Sequence, residues 1–309
     1  MKRWIPVIAA LLLVGVGAWL VFTQTQPTAA SVATQEATVD FPIVPQQRCA
    51  RLPRFVKRIS PTPVMIDLSQ KEATGVALRY GPKFADMYHP PSWARFGHMG
   101  TYTADVYGNL YLAPMPFISV KSDTFRRQQA LYRIDAKSGK LEEWMRFEDV
   151  KPDAHNPYGI VSVVYDCSDH TLWVSAVDQS TYEEAKGRIY HIDIKTRTVL
   201  KTVRGVDALT LAIGYVEGRK VLLFGNAKEP TLELYDIRND RRMLVVRFDD
   251  PQLRVRKIRM YTPEAMKVEL IAFRYSLVAA SSERLQERTV VYVKFDRSER
   301  KWRTLRKKI

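Results

Sequence analysis

Five times along the chain a short β-rich run closes on an aspartate and gives way to a polar turn. The copies are Val64-Met65-Ile66-Asp67, Leu131-Tyr132-Arg133-Ile134-Asp135, Ile189-Tyr190-His191-Ile192-Asp193, Leu232-Glu233-Leu234-Tyr235-Asp236 and Tyr292-Val293-Lys294-Phe295-Asp296. Each is followed by residues such as Ala-Lys-Ser-Gly-Lys, Ile-Lys-Thr-Arg-Thr or Arg-Ser-Glu-Arg. Alternation of apolar and polar residues is the period of a half-buried strand, and Asp before a polar stretch bonds its own backbone to make a turn. The aspartates therefore read as turn chemistry. Tyr132, Tyr190, Tyr235 and Tyr292 read as packing between neighbouring sheets.

Each complete copy has further strands upstream. Gly108-Asn109-Leu110-Tyr111-Leu112, His170-Thr171-Leu172-Trp173-Val174 and Arg219-Lys220-Val221-Leu222-Leu223 follow turns. Before them come inner-strand candidates at 102–106, 160–164, 209–213 and 258–261. A unit of four strands recurring at intervals of 43 to 68 residues is one propeller blade with insertions. The fold expected is all-β, a single β-propeller of 5–6 four-stranded blades, the sixth depending on whether the N-terminal approach completes one. A β-sandwich or two smaller β domains is the competing architecture. With 46% hydrophobic and 26% charged residues, disorder, collagen and coiled coil are excluded.

The runs Asn156-Pro157-Tyr158-Gly159-Ile160, Asp169-His170-Thr171-Leu172-Trp173-Val174-Ser175 and Gly187-Arg188-Ile189-Tyr190-His191-Ile192-Asp193 resemble the blade pattern of the NHL-repeat, virginiamycin-B-lyase-like and senescence-marker-protein (gluconolactonase-like) propellers. Gly108-Asn109-Leu110-Tyr111-Leu112-Ala113 is similar to the NHL-type strand. The resemblance covers about 200 residues and implies architecture; its members include lyases, lactonases and binding proteins. For the lactonase-like members it also implies a divalent cation, calcium or zinc, near the channel mouth, with Asn156 and Asp178 near ligand positions.

The N-terminus supplies an address. Residues 4–22 are 19 consecutive positions without a charge, preceded by Lys2 and Arg3. As a helix this run spans about 28 Å, close to a bilayer's hydrocarbon thickness, and the preceding cations orient the rest of the chain outward. The domain expectation is an N-terminal transmembrane helix, as signal anchor or signal peptide, over 1–22, a flexible tether over 23–39 and the propeller over 40–309. The location expected is the bacterial inner membrane, single-pass, with the C-terminal domain in the periplasm; the alternative is a secreted or periplasmic protein after cleavage near Thr28-Ala29-Ala30 or Ser31-Val32-Ala33. In that oxidising compartment Cys49 and Cys167, the two cysteines, are a possible disulfide; two unpaired small hydrophobes is the other reading.

In a propeller the connections between blades and the loops between second and third strands open on one face, and this chain spends its insertions there. His89, Trp93, His98, Arg126, Arg127, His155 and Tyr182 are the candidate binding residues on that rim. His170 and His191, in a turn and a strand, read as structural. No catalytic residue is assigned: no Ser/His/Asp elbow, glycine-rich phosphate loop or Cys-x-x-Cys pair occurs in the sequence. The formal charge of +15 makes an anionic partner or surface worth considering; the seven Lys and Arg against one Glu in the last 13 residues read first as a solvated basic end, and otherwise as attraction to anionic lipid headgroups or polysaccharide. The function expected is an exported, membrane-anchored binding or scaffold module for an envelope protein or an anionic glycan or small-molecule ligand, without a cofactor and without nucleic acid. A structural subunit of an envelope complex is a variant of that reading. The alternative is a divalent-cation-dependent hydrolase or lyase, with Asn156 and Asp178 on the metal.

Overall fold

The computed structural model describes residues 37–69, 71–116, 125–276 and 288–305. The uncharged run of residues 4–22 lies outside them. No helix among the described residues is long and apolar enough to cross a membrane.

The body is a five-bladed β-propeller of sequential antiparallel sheets. A two-residue strand β1 (Val44–Pro45) precedes the blades. Blade 1 holds β2 (Met65–Asp67), β3 (Ala77–Tyr80) and β4 (Asp86–Tyr88); blade 2 holds β5 (Met99–Ala104), β6 (Leu110–Pro114), β7 (Ala130–Ile134) and β8 (Leu141–Arg146). Blade 3 holds β9 (Ile160–Asp166), β10 (Thr171–Ala176), β11 (Arg188–Asp193) and β12 (Thr198–Arg204). Blade 4 holds β13 (Ala208–Val216), β14 (Arg219–Asn226), β15 (Thr231–Asp236) and β16 (Arg241–Arg247), and blade 5 holds β17 (Leu253–Thr262), β18 (Ala265–Ala272), β19 (Thr289–Asp296) and β20 (Lys301–Leu305).

The turn aspartates do what their position requires. Asp135 Oδ1 accepts from the amides of Lys137 and Ser138, Asp193 from Thr196, Asp236 from Arg238 and Asn239, and Asp296 from Ser298 and Glu299. Four residues after each, the chain turns left-handed: Gly139 at φ 75°, Arg197 at 57°, Asp240 at 52° and Arg300 at 50°. That is the turn of a short hairpin with a left-handed closing residue, which sets the register of the outer strand pair in blades 2–5.

Blade faces meet through separate apolar clusters. Leu78, Trp93, Leu112 and Tyr132 pack between blades 1 and 2, and Tyr111, Trp144, Leu172 and Tyr190 between blades 2 and 3. Trp173, Ile213, Phe224 and Tyr235 fill the next seam, and Val221, Leu234, Val268 and Trp302 the last. Tyr132, Tyr190 and Tyr235 are 2% exposed in these seams, as their spacing implies. Tyr292 departs from the expectation and is only half-buried. It stands four residues before its aspartate, where the others stand three or one before. The two-residue period turns it to the opposite face, and Val293 and Phe295 meet blade 4 instead.

Two further expectations are corrected. Blade 1 has three short strands where four were expected. The N-terminal approach builds no sixth blade; residues 38–55 form a strap across the face of the tight turns. Pro42, Pro45 and Pro53 lack the amides that a blade strand donates. The strap instead takes partners from successive blades. Val39 N donates to Leu244 O, Ile43 N to Pro263 O, Arg51 N to Asp105 O and Phe55 N to Ala136 O. β1 pairs with β13 through Val44–Tyr215 and Pro45–Gly214. Gly214 permits that approach, because a Cβ there would stand 2.6 Å from Ile43 Cγ2. Gln46 donates from Nε2 to Tyr165 O and accepts at Oε1 from Cys167 N. Beside that clamp Cys49 and Cys167 form a disulfide.

Candidate functional site

The opposite face carries the long loops, and blade 2 builds a pocket at its edge. The segment from Trp93 to Gly97 runs along the outer half of blade 2. Trp93 is anchored by its indole N–H on Gly139 O at 3.0 Å, and Phe96 meets the Tyr132 ring edge-on at 5.6 Å. Facing it are the short helix α2 (Phe125–Gln128) and the end of β8, where Arg146 lies opposite Ala130 of β7. Between them lies a cavity of about 290 Å³ lined by Arg95, Phe96, Arg126, Arg127, Tyr132, Glu143 and Arg146.

Its charges are held in two ways. Arg146 is fixed: Nε donates to Glu143 at 2.9 Å, Nη2 pairs with the same carboxylate, and Nη1 donates to Arg126 O at 2.8 Å. This pair is locally neutral. Arg95 stacks its guanidinium over the Phe96 ring at 4.9 Å, and Arg127 lies against the backbone of Gly97. Neither Arg95 nor Arg127 forms an ion pair among the described residues. Tyr132 donates its hydroxyl to Arg127 O at 3.0 Å. Burial, with the Glu143 charge adding, pushes the Tyr132 phenol up to about 12, so it remains a donor across the physiological range. Four guanidiniums against one carboxylate make a site for an anion, since the planar fork of donors matches carboxylate, phosphate and sulfate oxygens.

The sequence-derived rim residues divide by placement. Arg126 and Arg127 line this pocket. Trp93 stands beneath it at 1% exposure, as core. His89 is half-buried with Nδ1 on Val76 O at 2.9 Å, and His98 is half-buried where its carbonyl accepts from Met115 N. His155 is exposed in the blade 2–3 connection, its amide on Asp153. Tyr182 is 53% exposed and meets Tyr275 edge-on. Arg95, Phe96, Glu143 and Arg146 were not singled out from the sequence. Arg95 lies in the same connection as the candidates His89, Trp93 and His98, whereas Arg146 sits in a strand with nothing to distinguish it from an outward-facing charge.

At the ends of the inner strands on this face stand an apolar cluster, Arg254 and Asp207. Val161, Val177, Leu209, Phe273 and Tyr275 cluster there with Tyr158. Arg254 donates to the carbonyls of Ala227, Pro251, Leu253 and Lys228. Asp207, buried among them, accepts from Ser180 Oγ at 2.7 Å, Gly187 N at 2.8 Å and the Tyr275 hydroxyl, tying loops of blades 3 and 5 together. Burial raises its carboxyl above the ordinary value despite those donors.

Asn156 and Asp178 are also buried, with every side-chain polar atom but Asp178 Oδ1 committed elsewhere. Asn156 donates to Val177 O and Ser180 O and accepts from Tyr158 N. Asp178 Oδ2 accepts from Lys151 N and pairs with Arg188 at 2.8 Å, while Oδ1 has no partner. The Arg188 guanidinium competes with any hard cation for Oδ2, leaving Oδ1 as the one open oxygen of this carboxylate. Among the described residues no group of three or more His, Cys, Asp or Glu is placed to share a metal ion.

No protein-family model matches the chain, and no curated protein matches it. Its chain course is similar to solved propellers. U3-55K is 8% identical over 80% of this chain and 81% of that one, with a TM-score of 0.45. The RRP9 WD40 repeats are 9% identical over 88% and 84%, at 0.44. The extracellular domain of BT4673 from B. thetaiotaomicron is 10% identical over 87% of this chain and 29% of that one, at 0.45.

Proposed function

We propose that the chain is an exported binding module that holds an anionic group of an envelope protein or glycan in the blade 2 pocket. The observation that carries this reading is the cavity of Arg95, Arg126, Arg127 and Arg146 around a single glutamate. The apolar cluster of Val161, Val177, Leu209, Phe273 and Tyr275 on this face supports binding at the rim over chemistry in the channel. The Cys49–Cys167 disulfide supports an oxidising compartment. The uncharged run at residues 4–22 then holds the propeller to the bacterial inner membrane, with the domain in the periplasm. The blade pattern keeps it beside the NHL-type and gluconolactonase-like propellers as a binding member.

The test is calorimetric titration with short oligo-glutamate and oligo-galacturonate. One of them binds the wild type, and Arg126→Ala/Arg127→Ala weakens it at least tenfold, since each hydrogen bond from a charged donor contributes roughly 1.5–3 kcal/mol. Equal affinity of wild type and variant would remove the pocket as the site.

A further inference from the structure

Four seams of the propeller are filled by apolar clusters, but among the described residues none joins blade 5 to blade 1. Among the described residues the face of blade 5 turned away from blade 4 meets no neighbouring apolar cluster, its inner strand reaching blade 2 through the Arg256 Nη2–Gly100 O hydrogen bond at 2.9 Å, and its register shows what it presents. One cross-strand row reads Arg259–Lys267–Tyr292–Leu305, another Lys257–Glu269–Val290, a third Lys294–Arg303. Lys257, Arg259, Lys267 and Lys294 form no ion pair among the described residues. Glu269, the carboxylate in these rows, already faces Arg288. Arg303 is paired with Glu299. Like charges directly opposite in a sheet repel, and here Arg259 faces Lys267 and Lys294 faces Arg303. Among them stand exposed apolar groups: Tyr261 at 54%, Leu305 at 44% and Val290 at 38%.

We propose that this face of blade 5 docks on an anionic lipid surface. Basic side chains interleaved with tyrosine and aliphatic residues match a headgroup layer, where cations meet lipid phosphates and amphipathic rings sit at the boundary. A second copy of the same face is excluded by its charge. The 36 residues before the described chain carry Lys2, Arg3 and Glu36 as their only charges and cannot neutralise it. Thr38 bridges Leu244 of β16, Asp40 pairs with Arg300, and Phe41 O accepts from the Trp302 indole N–H, so residues 38–41 lie beside β16 and β20. This inference rests on the membrane-anchored reading for its setting, but the basic face can be tested without the anchor.

All five sheets, their apolar clusters and the disulfide lie within residues 37–305, so residues 37–309 form a self-contained domain. The experiment is sedimentation of that domain with vesicles of pure phosphatidylcholine and of phosphatidylcholine containing phosphatidylglycerol. Binding to the anionic vesicles is expected, weakening as salt rises, with none to the zwitterionic ones. Lys267→Gln/Lys294→Gln is expected to weaken binding about 25-fold, from about fivefold per cation near the surface. Arg126→Ala/Arg127→Ala is expected to leave it unchanged. Equal binding to both vesicles, loss only in the pocket variant, or tighter binding to soluble poly-glutamate than to anionic vesicles would each overturn the proposal. An unchanged melting temperature of the Gln variant makes its loss of binding interpretable.

Discussion

Removing the disulfide is the sharpest structural perturbation available. Cys49 sits in the strap and Cys167 in the inner turn of blade 3, and the bond closes a loop with a sequence separation of 118. For that length the chain-entropy relation gives about 5 kcal/mol of stabilisation at 25 °C. At roughly 2–4 °C per kcal/mol, Cys49→Ser/Cys167→Ser lowers Tm by about 10–20 °C. The assay is thermal and urea unfolding of wild type and variant, with thiol titration confirming that wild type has no free thiol. Limited proteolysis reports the strap itself: without the covalent pin, the Gln46 clamp and the β1–β13 pairing hold it alone, and cleavage between residues 38 and 55 accelerates. A fall of less than about 1 kcal/mol, with the wild-type bond confirmed, would refute the reasoning. The strap would then be held by its noncovalent contacts, or be dispensable to the propeller.

Other expectations follow from particular contacts. Gly214→Ala forces a methyl against Ile43 and costs about 1–3 kcal/mol, read by urea unfolding, with strap proteolysis rising in parallel. Glu217 and Gly218 close the β13–β14 hairpin, both with positive φ, at 49° and 76°. Glu217→Asn suits that turn and raises stability by about 0.5–1 kcal/mol. The carboxyls of Asp135 and Asp193 are held below the ordinary range by backbone amides of Ser138 and Thr196, and that of Asp296 by the Ser298 hydroxyl. Because the folded values are depressed, their stabilisation is complete above the unfolded value near 3.9 and is lost as pH falls through the folded values. Wild type therefore loses stability as pH falls below about 4, and Asp135→Asn/Asp193→Asn flattens that loss in acid titrations followed by circular dichroism.

The sequence disclosed the blades because two signals coincide at each turn: strand alternation before it and an Asp whose carboxylate bonds the next amides. Blade 1 was harder to read because its strands run only three or four residues, too short for alternation to declare a fourth partner. Tyr292 shows how one residue of offset changes a side chain's face without disturbing the strand. The strap was illegible because its hydrogen bonds reach residues as distant as Leu244 and Pro263, and no local periodicity records such partners. The pocket was half-legible. Arg126 and Arg127 stood out in a long loop, but Arg146 becomes part of the site only when β8 pairs with β7 and Glu143 orients its guanidinium. Trp93 shared the loop context of a binding residue, yet Gly139 O and the blade 1–2 seam take it inward.

The claim at the centre of this account is that the blade 2 pocket takes an anion. Arginine Nε–Hε NMR spectra of the 37–309 domain test it directly, titrated first with oligo-glutamate and oligo-galacturonate, then with calcium and zinc. The account predicts that the anionic ligand shifts the Arg95, Arg126 and Arg127 resonances together, and that the cations leave Arg188 beside Asp178 unmoved. Silent pocket arginines with a saturable shift of Arg188 on adding a cation would contradict it, and would place the working site at Asn156 and Asp178.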